Sequence, residues 1–210
     1  GAAPAPSVTV GAADWSAQRR NQKVLEETPS PAVYAPLRKR MAAAALATAE
    51  RVGYTNAGTC EFIVDERGDF FFLEVNQRLQ VEHPVTEAAV DIDLVEQQLR
   101  IAQGERLDLR LHTHRPAVEV RVYAEDPAAG FLPSTGRLAH VRWPDGVRVD
   151  AGFEEGSTVS RHYDPLLAKL ITVADARAAA PDRLARALDA PRSGARADGK
   201  EGRPRGEPAS

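Results

Sequence analysis

A single cysteine, Cys60, and a single methionine, Met41, occur in 210 residues, and only 6% of the chain is aromatic. One cysteine excludes an intramolecular disulfide framework and any all-cysteine metal centre. It fits a reducing compartment, and a cytoplasmic location is expected. Long apolar runs are missing as well. The longest, Met41 to Ala47, is short and mostly alanine, so no segment is expected to span a bilayer. No basic stretch followed by an apolar one opens the chain, and no signal peptide is expected. Positive charge is not in excess: 27 Lys and Arg against 30 Asp and Glu leave a formal net charge of −3. That gives no electrostatic footprint for nucleic acid. Gly1 stands first and the only methionine lies far inside, so a processed chain or a piece of a longer one is expected.

What is present supports a folded protein. Hydrophobic residues make up 43% of the chain, enough for a core, and the length suits one or two domains. Residues 1–13, GAAPAPSVTVGAA, are small, uncharged and Pro-spaced, and are expected to form a disordered lead-in. Residues 191–210 contain no large hydrophobe and are expected to be a disordered tail. Between them lie two structural units, 14–115 and 116–190. The Ala-rich segment Pro36 to Val52 predicts a helix, with Leu37, Met41, Ala45 and Val52 near helical spacing and Gly53 as its stop. Cys60 to Val64 and Phe70 to Val75 predict two strands joined through Asp65–Asp69. Asp93 with Glu96 predicts a capped helix start, and Gly104 its end. From Ala117 to Val173 short strands alternate with Gly and Pro, as in an antiparallel β unit. A short helix over 182–190 follows. The class is α+β.

Chemistry concentrates in EVNQRLQVEHPVTE, residues 74–87. Glu74 and Asn76 are two apart on a strand and share a face. A two-residue turn at Arg67-Gly68 predicts a register with Glu61 directly across from Glu74. Two carboxylates and an amide oxygen then converge, a donor set suited to a hard divalent cation whose shell phosphate oxygens complete. The inference depends on the turn, because a one-residue slip sends Glu61 to the other face. On spacing alone, the same carboxylates also fit the solvated face of a half-exposed strand. Arg78 suits an anion or a salt bridge, Glu82 a general base or a surface charge, and His83 a structural hydrogen bond. The run from Gln18 to Lys23 is cationic, fit for solvent or for polyphosphate.

The stretch GTCEFIVDERGDFFFLEVNQRLQVEHPVTE, followed by DLVEQQLRIAQGERL, resembles the biotin carboxylase family of ATP-grasp ligases. AEDPAAGFLPSTG from Ala124 and YDPLLAKLI from Tyr163 resemble that family's C-terminal domain, and SAQRRNQKVLEETPSP from Ser16 the entry to the second half of its ATP-grasp domain. The resemblance implies the C-terminal part of an ATP-grasp domain, an antiparallel sheet with helices, over 14–115. An incomplete β-rich biotin carboxylase C-terminal domain then follows over 116–190. It implies ATP- and bicarbonate-dependent carboxylation of biotin, the biotin carboxylase half-reaction of an acyl-CoA carboxylase. ATP and Mg²⁺ or Mn²⁺ are the implied cofactors, with biotin on a separate carrier domain. Matched position by position, Glu61, Glu74 and Asn76 take the metal-ligand roles, Glu61 and Glu74 also serving the nucleotide. Arg78 holds bicarbonate, aided by Gln80 and the backbone of Val81. Glu82 is the general base. Arg148 stabilises the biotin enolate, and is expected to point toward Arg78 and Glu82 with Glu82 as its balancing carboxylate. Gln18, Asn21 and Lys23 contact nucleotide, although the family often carries His where Asn21 stands. Implied partners are a biotin carboxyl carrier protein or domain, a carboxyltransferase subunit and a second copy in a homodimer, with no nucleic acid and no membrane.

The chain also departs from the family. It has no Rossmann-like N-terminal domain, no glycine-rich phosphate lid and no biotin-attachment Met-Lys-Met, and its end after Ala190 does not follow the family pattern. An N-terminally truncated fragment, inactive in isolation, is expected. Two alternatives stand beside this reading. One is an ATP-grasp ligase of the carbamoyl-phosphate-synthetase type, against which AEDPAAGFLPSTG argues. The other is a non-catalytic remnant that acts only as an interaction module.

Overall fold

The structure is a computed structural model that describes residues 8–19, 22–109, 114–189 and 194–198. The chain divides into two compact units, one of Gly1–Val120 with Ile171–Asp182 and one of Arg121–Leu170 with Arg183–Ser210. A single passage near residue 115 is the simplest division of the sequence; here the chain returns to the first unit for a short stretch before re-entering the second.

In the first unit, strands β1 (Asp14–Arg19) and β2 (Gln22–Thr28) form an antiparallel pair with Gln18 opposite Lys23. The sequence shows this stretch as a cationic run; in the structure it forms these two strands. Helix α1 (Ala35–Val52) follows, with Pro36 in its first turn and Gly53 in the left-handed conformation (φ 63°) receiving its end. Of the predicted apolar stripe only Leu37 is buried, and Val52 is exposed. Alanine content, not an apolar face, makes this helix. Strands β3 (Thr59–Val64) and β4 (Phe70–Asn76) form a two-stranded antiparallel sheet. Two short helices, α2 (His83–Val90) and α3 (Leu94–Ala102), complete the site region. Asp93 caps α3 as its sequence predicts, its carboxylate accepting from the Glu96 amide at 2.8 Å. The core of the unit gathers Val85, Ala89 and Val90 of α2 with Ala117.

Strand β5 (Ala117–Tyr123) pairs with β2, which sets Glu26 opposite Glu119. In the second unit the chain continues through β6 (Glu125–Asp126), a 3₁₀ turn at Pro127–Ala129, β7 (Leu132–Pro133), β8 (Gly136–Arg142), β9 (Arg148–Ala151), β10 (Thr158–Val159) and β11 (Leu166–Val173). Helix α4 (Ala179–Asp189) and strand β12 (Gly194–Asp198) close the described chain. The main sheet has the order β1-β2-β5-β11-β9, and a second sheet the order β10-β8-β12. Leu138, Val159 and Leu167 form the core of the second unit, with Trp143 and Phe153 packed against them. The architecture is α+β, as expected.

Both ends hold more structure than their composition predicts. In the lead-in, Val10 and Ala13 pack against the α2 core. The Ala12 carbonyl accepts from the Ser30 amide at 3.3 Å and the Thr28 hydroxyl at 3.1 Å. In the tail, the backbone of 194–198 pairs with β8. A strand edge supplies backbone partners to any extended segment, whatever its side chains. The remainder of both ends lies outside the described residues.

Candidate active site

The β3–β4 turn is wider than a two-residue turn. Asp65 closes a five-residue loop: its amide donates to the Asp69 carbonyl at 2.9 Å, and its carboxylate accepts from the amides of Arg67 and Asp69 at 2.9 Å each. Gly68 supplies the left-handed residue, φ 80°. Beyond this loop Val64 pairs with Phe70, Ile63 with Phe71 and Phe62 with Phe72. Continued without interruption, that ladder would put Glu61 opposite Leu73 and leave Glu74 on the other face. A bulge intervenes between Glu61 and Phe62, so that Glu61 faces Glu74 and Thr59 faces Asn76. Leu73 is the extra residue. The predicted pairing of Glu61 with Glu74 is therefore present, but it arises from the bulge and not from the turn.

The side chains converge on one atom. Glu61 Oε1 accepts from Lys23 Nζ at 3.1 Å, Asn76 Nδ2 at 3.0 Å and Gln80 Nε2 at 2.9 Å. Asn76 Nδ2 also donates to Glu74 Oε1 at 3.0 Å, and Lys23 Nζ to Glu82 Oε1 at 2.7 Å. Burial pushes the Glu61 carboxyl up, but hydrogen bonds from Gln80 and Lys23 and the charges of Lys23 and Arg78 outweigh it and hold the group below its ordinary value. Gln80 is 8% exposed, and its Oε1 is buried with no hydrogen-bond partner. A buried, unmatched acceptor beside a cationic and acidic cluster fits a small polar ligand with a hydrogen to donate. His83 Nδ1 lies 2.8 Å from the Gln80 carbonyl and fixes the segment in the structural role its sequence context predicts. Val81 lies in the same turn between β4 and α2.

Glu61, Glu74 and Asn76 fit a divalent cation. One amide nitrogen already lies within hydrogen-bond distance of both carboxylates, where a cation would need three oxygens. Turning the Asn76 amide over would present its Oδ1, an assignment that rests on the hydrogen-bond network. Among the described residues no group of three or more His, Cys, Asp or Glu side chains is gathered for a metal. A cation here would therefore complete its shell from phosphate or water.

Lys23, expected at the nucleotide, stands in this cluster between Glu61 and Glu82, and no spacing rule along the chain signals that convergence. Arg78 donates to the Leu79 carbonyl at 3.4 Å and is exposed. Gln18 lies on β1, where its backbone alone is described, and Asn21 is outside the described residues. In the second unit, Arg148 on β9 grips Asp150 with two hydrogen bonds, Nε to Oδ1 at 2.9 Å and Nη2 to Oδ2 at 3.0 Å. Two residues apart on a strand, they share a face. Within its own unit the carboxylate beside Arg148 is Asp150, and Glu82 engages Lys23 within the other.

Comparison with known proteins defines the class. Residues 4–110 match the profile of the carbamoyl-phosphate synthase L chain, ATP binding domain. Residues 119–193 match the biotin carboxylase C-terminal domain. The chain belongs to the biotin carboxylase family. It is 52% identical over 183 residues to the mitochondrial propionyl-CoA carboxylase alpha chain of Caenorhabditis briggsae, covering 84% of this chain and 25% of that protein. It is 50% identical over 182 residues to biotin carboxylase 2 of Bacillus subtilis (strain 168), covering 83% of this chain and 40% of that protein. Among solved structures, the biotin carboxylase domain dimer of Hydrogenobacter thermophilus 2-oxoglutarate carboxylase, in complex with MgADP, ADP and bicarbonate, superposes with a TM-score of 0.83. It is 41% identical, covering 86% of this chain and 41% of that one. Kluyveromyces lactis urea carboxylase superposes with a TM-score of 0.85 at 43% identity, covering 90% of this chain and 17% of that one. The chain thus spans a quarter to two fifths of these curated relatives.

Proposed function

We propose that this segment supplies part of the site at which a biotin carboxylase phosphorylates bicarbonate with ATP and transfers the resulting carboxyl group to biotin. The observation that carries the reading is Glu61 Oε1, which joins the predicted cation ligands, through Asn76, to the predicted bicarbonate-holding run, through Gln80. A divalent cation at Glu61, Glu74 and Asn76 would neutralise phosphoryl oxygens. Arg78 supplies positive charge for bicarbonate. Gln80 Oε1 suits an anion that still bears an O–H, as bicarbonate does, and the Val81 backbone adds a main-chain contact. Glu82 takes that proton as the bicarbonate oxygen attacks the γ-phosphorus and ADP leaves. Lys23 holds the Glu82 carboxylate in position until then. Arg148 favours the developing oxyanion of the biotin ureido ring. Gln18 and Asn21 serve the nucleotide.

A carrier protein or domain bearing biotin, a carboxyltransferase subunit and a second copy of the chain are the partners this reading requires. The compartment is a reducing one such as the cytoplasm; among the described residues no helix is long and apolar enough to cross a membrane.

The test is a chimaera in which residues 14–189 replace the matching segment of the Bacillus subtilis relative. Bicarbonate-dependent ADP release and biotin carboxylation are expected, with Glu82→Gln losing both. Arg148→Ala is expected to lose carboxylation while sparing much of the ADP release. Undiminished bicarbonate-dependent ADP release in Glu82→Gln refutes the assignment. The 210-residue chain alone is expected to release no ADP, since positioning of the nucleotide supplies much of phosphoryl-transfer catalysis.

A further inference from the structure

Glu82, the proposed base, is also the N-cap residue of α2. A Ser, Thr, Asp or Asn side chain at that position ordinarily accepts from the second or third amide of its own helix. Glu82 makes no such bond; its Oε1 takes the Lys23 ammonium at 2.7 Å instead. The first turn of α2 is satisfied by other means. The His83 amide donates to the Gln80 carbonyl at 3.2 Å, and Pro84 has no amide hydrogen. The amide of Val85, the third helical residue, donates at 3.1 Å to Glu119 Oε2, on β5. Glu119 and Val85 are both 0% exposed, so this amide has no access to water.

The geometry points to Glu119 as a positioning residue for the site: by capping α2 from β5 it relieves Glu82 of capping its own helix and leaves the Glu82 carboxylate on Lys23. A carboxylate suits the task, since a negative group at a helix N-terminus is favoured by the backbone dipoles. Without Glu119 the Val85 amide is a buried donor in need of an acceptor. The N-cap side chain is the one placed to answer it, so Glu82 turns inward and releases Lys23. The catalytic consequence rests on the reading of Glu82 as base. The contact itself does not, so loss of carboxylation in the chimaera and failure of this proposal are separate results.

The test uses the full chain, ¹⁵N-labelled, and follows the Lys23 ammonium cross-peak, assigned by its loss in Lys23→Arg. Hydrogen bonding to Glu82 slows ammonium exchange and keeps the peak visible. It is expected in the unmodified chain and in Glu119→Gln, whose side-chain oxygen preserves the acceptor. It is expected to vanish in Glu119→Ala at a temperature where circular dichroism shows the variant folded. A role confined to holding the fold together would lower the midpoint of unfolding and leave the peak in place. Persistence of the peak in folded Glu119→Ala, or its loss in Glu119→Gln, overturns the proposal. If Glu119→Ala does not fold, the Val85 amide proton in Glu82→Gln decides. An unchanged shift and slow exchange are expected there, and a shift toward a free amide overturns the proposal.

Discussion

Replacing Lys23 by methionine keeps most of the aliphatic stem and removes the charge that two carboxylates share. The side chains of Lys23, Glu61 and Glu82 are 19%, 14% and 7% exposed, so little solvent is at hand to take over. Removing one partner from a buried ion pair costs about 3–5 kcal/mol, because the group left behind is an uncompensated charge, whereas an exposed pair is worth about 0.2–1 kcal/mol. The low exposure puts Lys23→Met in the first range at neutral pH, read as the shift in urea unfolding midpoint at constant slope. The loss should depend on pH with a fixed sign. The folded-state pKa of Glu61 lies below its ordinary value, and Lys23 is among the causes. The stability that comes with this is therefore present above the ordinary carboxylate range, near pH 4, and is lost as pH falls through the folded value. The gap between unmodified chain and Lys23→Met should be widest near pH 7 and close on acidification. A difference below about 1 kcal/mol at pH 7, or one that does not narrow as pH falls below about 4, refutes the reasoning.

Deleting Leu73 should join the two stretches into one unbroken ladder, with Phe62 opposite Phe72 and Glu61 still opposite Glu74. The nuclear Overhauser contacts between Asn76 and Glu61 should then survive, and their loss would show that Leu73 does not act as the extra residue of the ladder. Asp93→Ala removes the acceptor for the Glu96 amide and should cost about 1 kcal/mol in urea unfolding; no change would mean that α3 is held by its packing alone. Burial raises the pKa of the Cys60 thiol. Less thiolate is then present at mildly alkaline pH, and iodoacetamide should react more slowly with the folded chain than with the urea-unfolded chain. Equal rates would contradict that shift.

The fold was legible where a local signal has one cause. The alanines of α1, the Asp93 cap and the strand runs from Val118 to Val173 each appear within a few residues of their predicted places. Helix α2 is not legible in the sequence: it is eight residues long, carries a proline in its first turn, and hides inside a segment whose polar residues draw a chemical reading. Strands β1 and β2 were missed because their polar side chains mask a backbone pairing. In the site, Glu61, Glu74 and Asn76 were legible as a group, while the means of bringing them together was not. A bulge is a choice between two nearly equivalent ladders, decided by tertiary packing. Lys23 was assigned to the nucleotide by resemblance; its hydrogen bonds to Glu61 and Glu82 require residues 38 and 59 positions apart, which no periodicity can place. The division at 115 could not reveal that β11 and α4 each pass between units.

The interrupted β3–β4 ladder sets regularity against chemistry. A designer seeking a firmer hairpin would carry the register of Val64 with Phe70 unbroken to the end of the ladder, and gain a better-formed ribbon. That register would set Glu61 opposite Leu73, part the two carboxylates and leave a strand that scores well by every local rule but has lost its chemistry. When this hairpin is transplanted into another scaffold, the unit to carry is therefore Thr59 to Asn76 whole. Irregularity at Leu73 is the instruction that tells one surface of the ribbon where to gather its oxygens.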